Sequence, residues 1–243
     1  MDVSPVVAWS LAELKRAGRP ERAKGAAAYF KAYEKLKFFG VDSPTVRKMA
    51  ARIRKEEASS WSLREAMMFA DAMLASLELE AKGLGLCVLG KFDKDFVPSM
   101  LPQTKRWLAE RCTDWASTDT LCGEVIAPLL VAHPNLVPRL RAWRSSPHLY
   151  VRRASAVGLL RLAHNGEQLA DAYDAARALG AEDHHLLQKA AGWLLREAGT
   201  TDMARLERFL RKHGPRLSRT TVSYALERFP AEKRKELLAV TRA

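Results

Sequence analysis

Apolar residues recur at steps of three and four along nearly the whole chain, and no stretch alternates β-branched and polar residues as a half-buried strand does. That pattern predicts an all-α fold. Helices are expected over 5–17, 21–36, 44–56, 62–75, 78–89, 99–111, 115–132, 135–144, 148–163, 167–179, 184–198, 202–213, 219–228 and 231–241. Prolines punctuate them. Ser43-Pro44 puts a cap before a first-turn proline, while His133-Pro134, Ser146-Pro147 and Phe229-Pro230 each end one helix and allow the next. The gaps are short, so neighbouring helices are expected to pair antiparallel.

An internal echo suggests how the pairs are arranged. KGLGLCVL (82–89), RRASAVGL (152–159) and QKAAGWLL (188–195) each run from a basic residue through small residues to an apolar close. Their cations at 82, 153 and 189 stand 71 and 36 residues apart, so a further copy is expected near 117, with a weaker one at TVSYAL (221–226). Helix pairs repeating at this interval imply an α-solenoid of HEAT or armadillo character; a helical bundle with recurrent small residues is the other reading. In the solenoid, Lys82, Asp119, Arg153 and Lys189 line one concave basic groove, and residues 1–243 form one domain.

The chain is long enough, and with 48 % hydrophobic residues apolar enough, to bury a full core. Its three cysteines (Cys87, Cys112, Cys122) cannot make a paired disulfide framework, which implies a reducing compartment. The opening MDVSPVVAWSLAELKR lacks the basic n-region and cleavage site of a signal peptide, and no run of about 18 residues is free of charge, so a soluble protein is expected.

Forty Lys and Arg against 28 Asp and Glu leave a net charge of +12, which points to nucleic acid ahead of an anionic membrane or acidic proteins. The surplus is uneven. No acid lies between Glu124 and Glu167, a stretch holding Arg139, Arg141, Arg144, Arg152, Arg153 and Arg161. A second cluster, Arg205, Arg208, Arg211, Lys212, Arg216 and Arg219, is offset only by Glu207. Arginine's planar fork suits phosphate oxygens. The apolar residues around Arg152 and Arg153 are needed for the core, which leaves no dedicated face for membrane insertion.

Two helices carry candidate chemistry. Trp115 and Asp119 stand four apart and so share a face, with Asp119 in an otherwise apolar helix. Either Asp119 salt-bridges Arg153 and Trp115 fills the core, or an aromatic wall and a carboxylate together face the groove and suit a cationic, electron-poor group. Lys189, Trp193 and Arg196 form a stripe of cation, aromatic and cation that fits a sugar-phosphate backbone, or else a structural Trp with snorkelling neighbours. Trp9, Trp61, Trp107 and Trp143 are expected in the core.

Other chemistries find little support. There is no CxxC pair and no HExxH, and the adjacent His184 and His185 diverge on a helix, so no metal site is expected. GLG at 83–85 follows no strand and precedes no Lys-Ser/Thr, and no GxSxG elbow occurs, so neither a nucleotide cofactor nor an acyl-transfer serine is expected.

Four separated segments, AYFKAYEKLKFFGVDSPTVRKMA (28–50), DWASTDTLCGEVIAPLLVAHPNLV (114–137), YVRRASAV (150–157) and QKAAGWLLRE (188–197), resemble in order and spacing the AlkD family of DNA alkylation repair proteins, bacterial glycosylases built from HEAT-like repeats. The resemblance implies hydrolysis of the N-glycosidic bond of N3- or N7-alkylated, cationic purines in duplex DNA, without flipping the base into a pocket. It implies that Trp115 and Trp193 pack on the deoxyribose, that Asp119 stabilises the oxocarbenium ion and positions water, and that Arg153 holds a phosphate. Arg152, Lys189, Arg196 and Lys82 are the further DNA-contact candidates, with Tyr29 as a groove contact. A cytoplasmic, nucleoid-associated bacterial monomer without cofactor or metal follows from the same resemblance. His184 and His185 stand where aromatic residues are common in the family. A non-catalytic HEAT-like DNA-binding protein is the alternative.

Overall fold

The structure, a computed structural model, describes residues 2–30 and 36–242. Among them it is helical, with a lone bridge between Lys37 and Glu78. The chain divides into two compact units, 1–129 and 130–243.

The first unit contains α1 (Ser4–Ala17), α2 (Pro20–Ala27), α3 (Ser43–Glu56), α4 (Leu63–Leu74), α5 (Leu79–Leu89), α6 (Met100–Glu110) and α7 (Trp115–Leu121). A π-helical turn at Cys122–Ile126 leads into α8 (Ala127–Ala132), within which the division between the units falls. The centre is α5, which packs against α3, α4 and α7 and buries almost every residue from Glu80 to Leu89. Its small residues permit that. A Cβ on Gly85 would come within 2.6 Å of the Met73 Cβ, so α4 and α5 approach each other at a distance only glycine allows.

The second unit begins with 3-10 turns over Pro134–Ser145 and continues through α9 (Leu149–Val157), α10 (Leu160–His164), α11 (Leu169–Leu179), α12 (His185–Ala198), α13 (Met203–His213), α14 (Arg219–Ala225) and α15 (Ala231–Val240). Here α12 is central, packed against α9, α10, α11 and α14. Gly192 plays the part of Gly85, since a Cβ there would meet the Tyr224 Cβ at 2.5 Å. Each of these glycines stands three residues after a lysine of the sequence echo, Lys82 or Lys189. The echo therefore records a repeated packing need. Within the units its helices also meet in succession, α5 against α7, and α9 against α12 against α14.

Several expectations shift in detail. The cap of α3 is Asp42, whose carboxylate accepts the Thr45 N–H, and Ser43 opens the helix proper. The segment expected as a helix at 135–144 is 3-10 throughout, with Pro138 lacking the N–H that an α-helix would use. The helix expected over 148–163 is interrupted at Gly158 and Leu159. Of the expected helix 21–36, α2 ends at Ala27, and residues 31–35 lie outside the described ones. Trp61, Trp107 and Trp143 are core residues as expected, whereas Trp9 is half-buried with the Arg52 guanidinium over its ring. The three cysteines are buried thiols. Among the described residues no helix is long and apolar enough to cross a membrane.

Candidate functional site

In the first unit the site is built on α7. Asp114, fully buried, caps this helix by accepting the Ser117 N–H at 2.7 Å and the Ser117 hydroxyl at 2.5 Å, while its carbonyl accepts the Thr118 hydroxyl. The cap fixes where the helix starts, and so places Trp115 in its first turn and Asp119 one turn later on the same face. Both are half-buried. The Phe30 ring lies parallel to the Trp115 indole, and Phe38 leans on Phe30 with centroids 5.3 Å apart. The chain bearing Phe38 is held by Glu80, whose carboxylate accepts the main-chain N–H groups of Phe39, Gly40 and Val41 at 3.1, 2.7 and 3.2 Å. Gly40 adopts a left-handed φ of 81° in this turn, and a side chain there would strike the Arg19 carbonyl. Beside α7 lies a cavity of about 410 Å³ bounded by Phe38, Glu80, Gly83, Ala116 and Thr120.

After Asp119 the helix widens. Ala127 N–H reaches back five residues to the Cys122 carbonyl, and Pro128 follows. Proline in an α-helix would clash with the carbonyl four residues earlier, that of Glu124, and the π-turn relieves this. Glu124 is also tied to α3 by an ion pair with Arg47 at 2.9 Å.

In the second unit α9 and α12 carry the candidates. Arg153 is only 5 % exposed, and its Nη1 donates to the Leu186 carbonyl at 2.5 Å, which binds α9 to the first turn of α12. That turn is capped by His184, whose Nδ1 accepts the Leu186 N–H, and His184 stacks on His185. Lys189 is exposed and Trp193 half-buried. Arg196 pairs with Glu227 and, at 3.3 Å, with Glu197. Arg152 donates to the Ser146 carbonyl at 2.8 Å and lies 3.4 Å from Glu182. Tyr29, at the other end of the sequence, is 81 % exposed.

Lys82 departs from expectation. It is 3 % exposed and its ammonium donates to the carbonyls of Leu74 and Arg111, so it faces the interior of the first unit and not a groove. The acid-free run is also less bare in space than in sequence. Arg141 pairs with Asp171 and Arg144 with Asp174, because α11 packs against the 3-10 turns that bear these arginines. In the basic cluster near the C-terminus Arg211 pairs with Glu207 and Glu236, and Arg219 donates to the Leu238 and Thr241 carbonyls.

The contributions of Phe30, Phe38 and Glu80 are visible only in the structure. Asp114 alone left a direct signal, an Asp-x-x-Ser cap ahead of an apolar run. Among the described residues no group of three His, Cys, Asp or Glu side chains is placed to hold a metal ion.

An aromatic residue and a carboxylate one turn apart on α7, and an exposed lysine one turn before a half-buried tryptophan on α12, are the chemistry-bearing features of the two units. Residues 10–229 match the family described as DNA alkylation repair enzyme, and the chain belongs to that family. Among solved structures it is similar to a protein described as a predicted DNA alkylation repair enzyme from Enterococcus faecalis, with a TM-score of 0.77 at 18 % identity, covering 88 % of this chain and 97 % of that one. No curated protein matches the chain.

Proposed function

We propose that the protein is a DNA glycosylase that hydrolyses the N-glycosidic bond of N3- or N7-alkylated purines in duplex DNA. The observation that carries this reading is the Trp115 and Asp119 pair, a braced indole and a carboxylate on successive turns of α7. Alkylation at N3 or N7 makes the purine a cation and hence a good leaving group. As the bond breaks, its electron pair leaves with the base, neutralising it, and positive charge moves onto the deoxyribose. A preorganised carboxylate favours that sugar cation over its neutral precursor. Asp119 takes this role and orients the water that adds to C1′, which gives up one proton to the solvent; the products are the free neutral alkylpurine, an abasic site and that proton.

Trp115 and Trp193 offer apolar faces to deoxyribose, and Lys189 supplies a cation for a phosphate. Arg152, Arg153 and Arg196 serve mainly by holding α9 and α12 in place, since each is engaged within the fold. Tyr29, exposed on the first unit, is a further contact for the DNA in this reading. The chemistry needs no cofactor or metal, because the lesion's own charge activates the leaving group. In this reading both units act as one functional domain, monomeric on duplex DNA, in the compartment where the genome lies; the family match, which spans both units, supports it.

The test is incubation with duplex DNA containing 7-methylguanine or 3-methyladenine, with quantification of released base. Release well above the spontaneous rate is expected. DNA binding without release would overturn the glycosylase reading and leave a helical DNA-binding protein.

A further inference from the structure

We infer that Lys82 is a positioning residue for Trp115 and Asp119, its buried ammonium stitching the ends of α4 and α6 to α5 and so fixing the connector from which α7 starts. This rests on the glycosylase reading above. The geometry is specific. Nζ donates to the carbonyl of Leu74, the last residue of α4, at 3.3 Å, and to the carbonyl of Arg111, the residue that closes α6. Carbonyls at helix C-termini lack intrahelical donors and carry partial negative charge, so a cation between two of them satisfies both ends at once.

The connector is gripped from its other side as well. The N–H groups of Arg111 and Cys112 both donate to the Trp107 carbonyl at 2.8 Å. The Trp107 indole N–H donates to Asp71 on α4 at 2.6 Å. With its N–H groups held by α6 and its carbonyl by Lys82, the main chain at Arg111 has little freedom. Three residues further on, Asp114 caps α7. A shift at Arg111 therefore passes directly into the placement of Trp115 and Asp119.

Burying an ammonium is costly, and the two carbonyl acceptors offset that cost, so the position of Nζ is tied to those of the two helix ends. Burial pulls the Lys82 pKa below its ordinary value; nearby Cys112 and Asp114 favour the charged form, and Arg111 opposes it. Nothing in the sequence separates this lysine from Lys189, its counterpart in the echo, which is exposed.

Lys82→Met keeps the length and apolar stem and removes the donors. A misplacement on the order of 1 Å at a reacting centre costs roughly a hundredfold in rate. We expect single-turnover release of 7-methylguanine to fall about ten- to a hundredfold, with the Kd for the same duplex within about twofold of wild type. A residue that only stabilised the fold would leave the rate of the folded protein unchanged, and a phosphate contact would weaken Kd; either result overturns the inference. A readout independent of activity is the emission of Trp115, taken as the difference between each protein and its Trp115→Phe derivative. It is expected to shift in Lys82→Met, and an unchanged difference spectrum overturns the inference even if wild type releases no base and the glycosylase reading itself fails. Should Lys82→Met not fold, Lys82→Gln, with an N–H donor on a shorter stem, is judged by the same measurements and outcomes.

Discussion

Phe30 lies flat against Trp115, their ring centroids 5.1 Å apart and their planes within 10° of parallel. The plane of the indole is thus set by a residue beyond the end of α2 as well as by its own helix. Stacked aromatic pairs contribute about 0.5–1.5 kcal/mol beyond the area they bury, which corresponds to roughly a two- to tenfold change in a rate that depends on the ring's placement. Phe30→Ala is expected to slow single-turnover base release by that factor, and Phe30→Tyr to restore it. A wild-type rate for Phe30→Ala would show that α7 alone holds the indole.

Asp119→Asn removes the charge while keeping the shape. Loss of one preorganised electrostatic group costs about 10²–10³ in rate. Release of 7-methylguanine should fall by that factor, with affinity for duplex DNA equal or slightly higher because a negative charge has been removed. Thermal denaturation of the variant separates this from an ion-pair role: a collapse of Tm in place of a loss of rate assigns Asp119 to the fold.

Lys189→Ala tests the phosphate contact. The side chain is exposed, so its removal should leave the fold intact. Binding is expected to weaken alike on damaged and undamaged duplexes, and the slope of log affinity against log salt to become shallower by about one. An unchanged slope would remove Lys189 from the interface.

His184 makes stability depend on pH. Burial, followed by the charges of His185, Arg152 and Arg153, holds its pKa below the ordinary 6.5. The ring caps α12 through an unprotonated Nδ1, so the neutral form is the one the fold uses. A group whose pKa is depressed on folding gives its full stabilisation above its unfolded pKa and loses it as pH falls through the folded value. Tm should therefore drop as pH is lowered from about 7.5 through 6.5 and below, and drop less in His184→Asn, which can cap without titrating. Parallel pH profiles for the two proteins would refute this.

The cysteines should be silent. Burial raises the Cys87 thiol to about 11 and the Cys112 thiol to about 12, and Cys122 is buried as well. Thiolates are the reactive form, so a thiol reagent at pH 8 should modify none of the three until denaturant is added. Rapid labelling of the native protein would contradict their burial.

Much of this was legible in the sequence. Most helices stand where three- and four-residue spacing places them, though the expected helices at 21–36, 115–132, 135–144 and 148–163 are shortened, broken or wound as 3-10, and the shared face of Trp115 and Asp119 follows from their separation alone. What escaped was partnership. Lys82 and Lys189 open the same small-residue pattern, yet one meets two helix ends and the other meets solvent, a difference set by what packs against α5 and α12. Arg141 and Arg144 of the acid-free run have their carboxylates thirty positions downstream, brought near by a neighbouring helix. Phe30 and Phe38 belong to an aromatic-rich segment whose purpose is visible only once Glu80 is seen holding the turn beyond it.

The π-turn at Cys122–Ile126 places one extra residue in the helix just after Asp119. Side chains before it and after it are consequently out of phase by about a hundred degrees relative to an unbroken α-helix. The face that presents Trp115 and Asp119 is thereby uncoupled in angle from the one that buries Val125, Ile126 and Leu129. Deleting a single residue here to restore α-helical winding would rotate everything after the turn by that angle against α7, so the phase between the Asp119 face and the buried face beyond it depends on one residue.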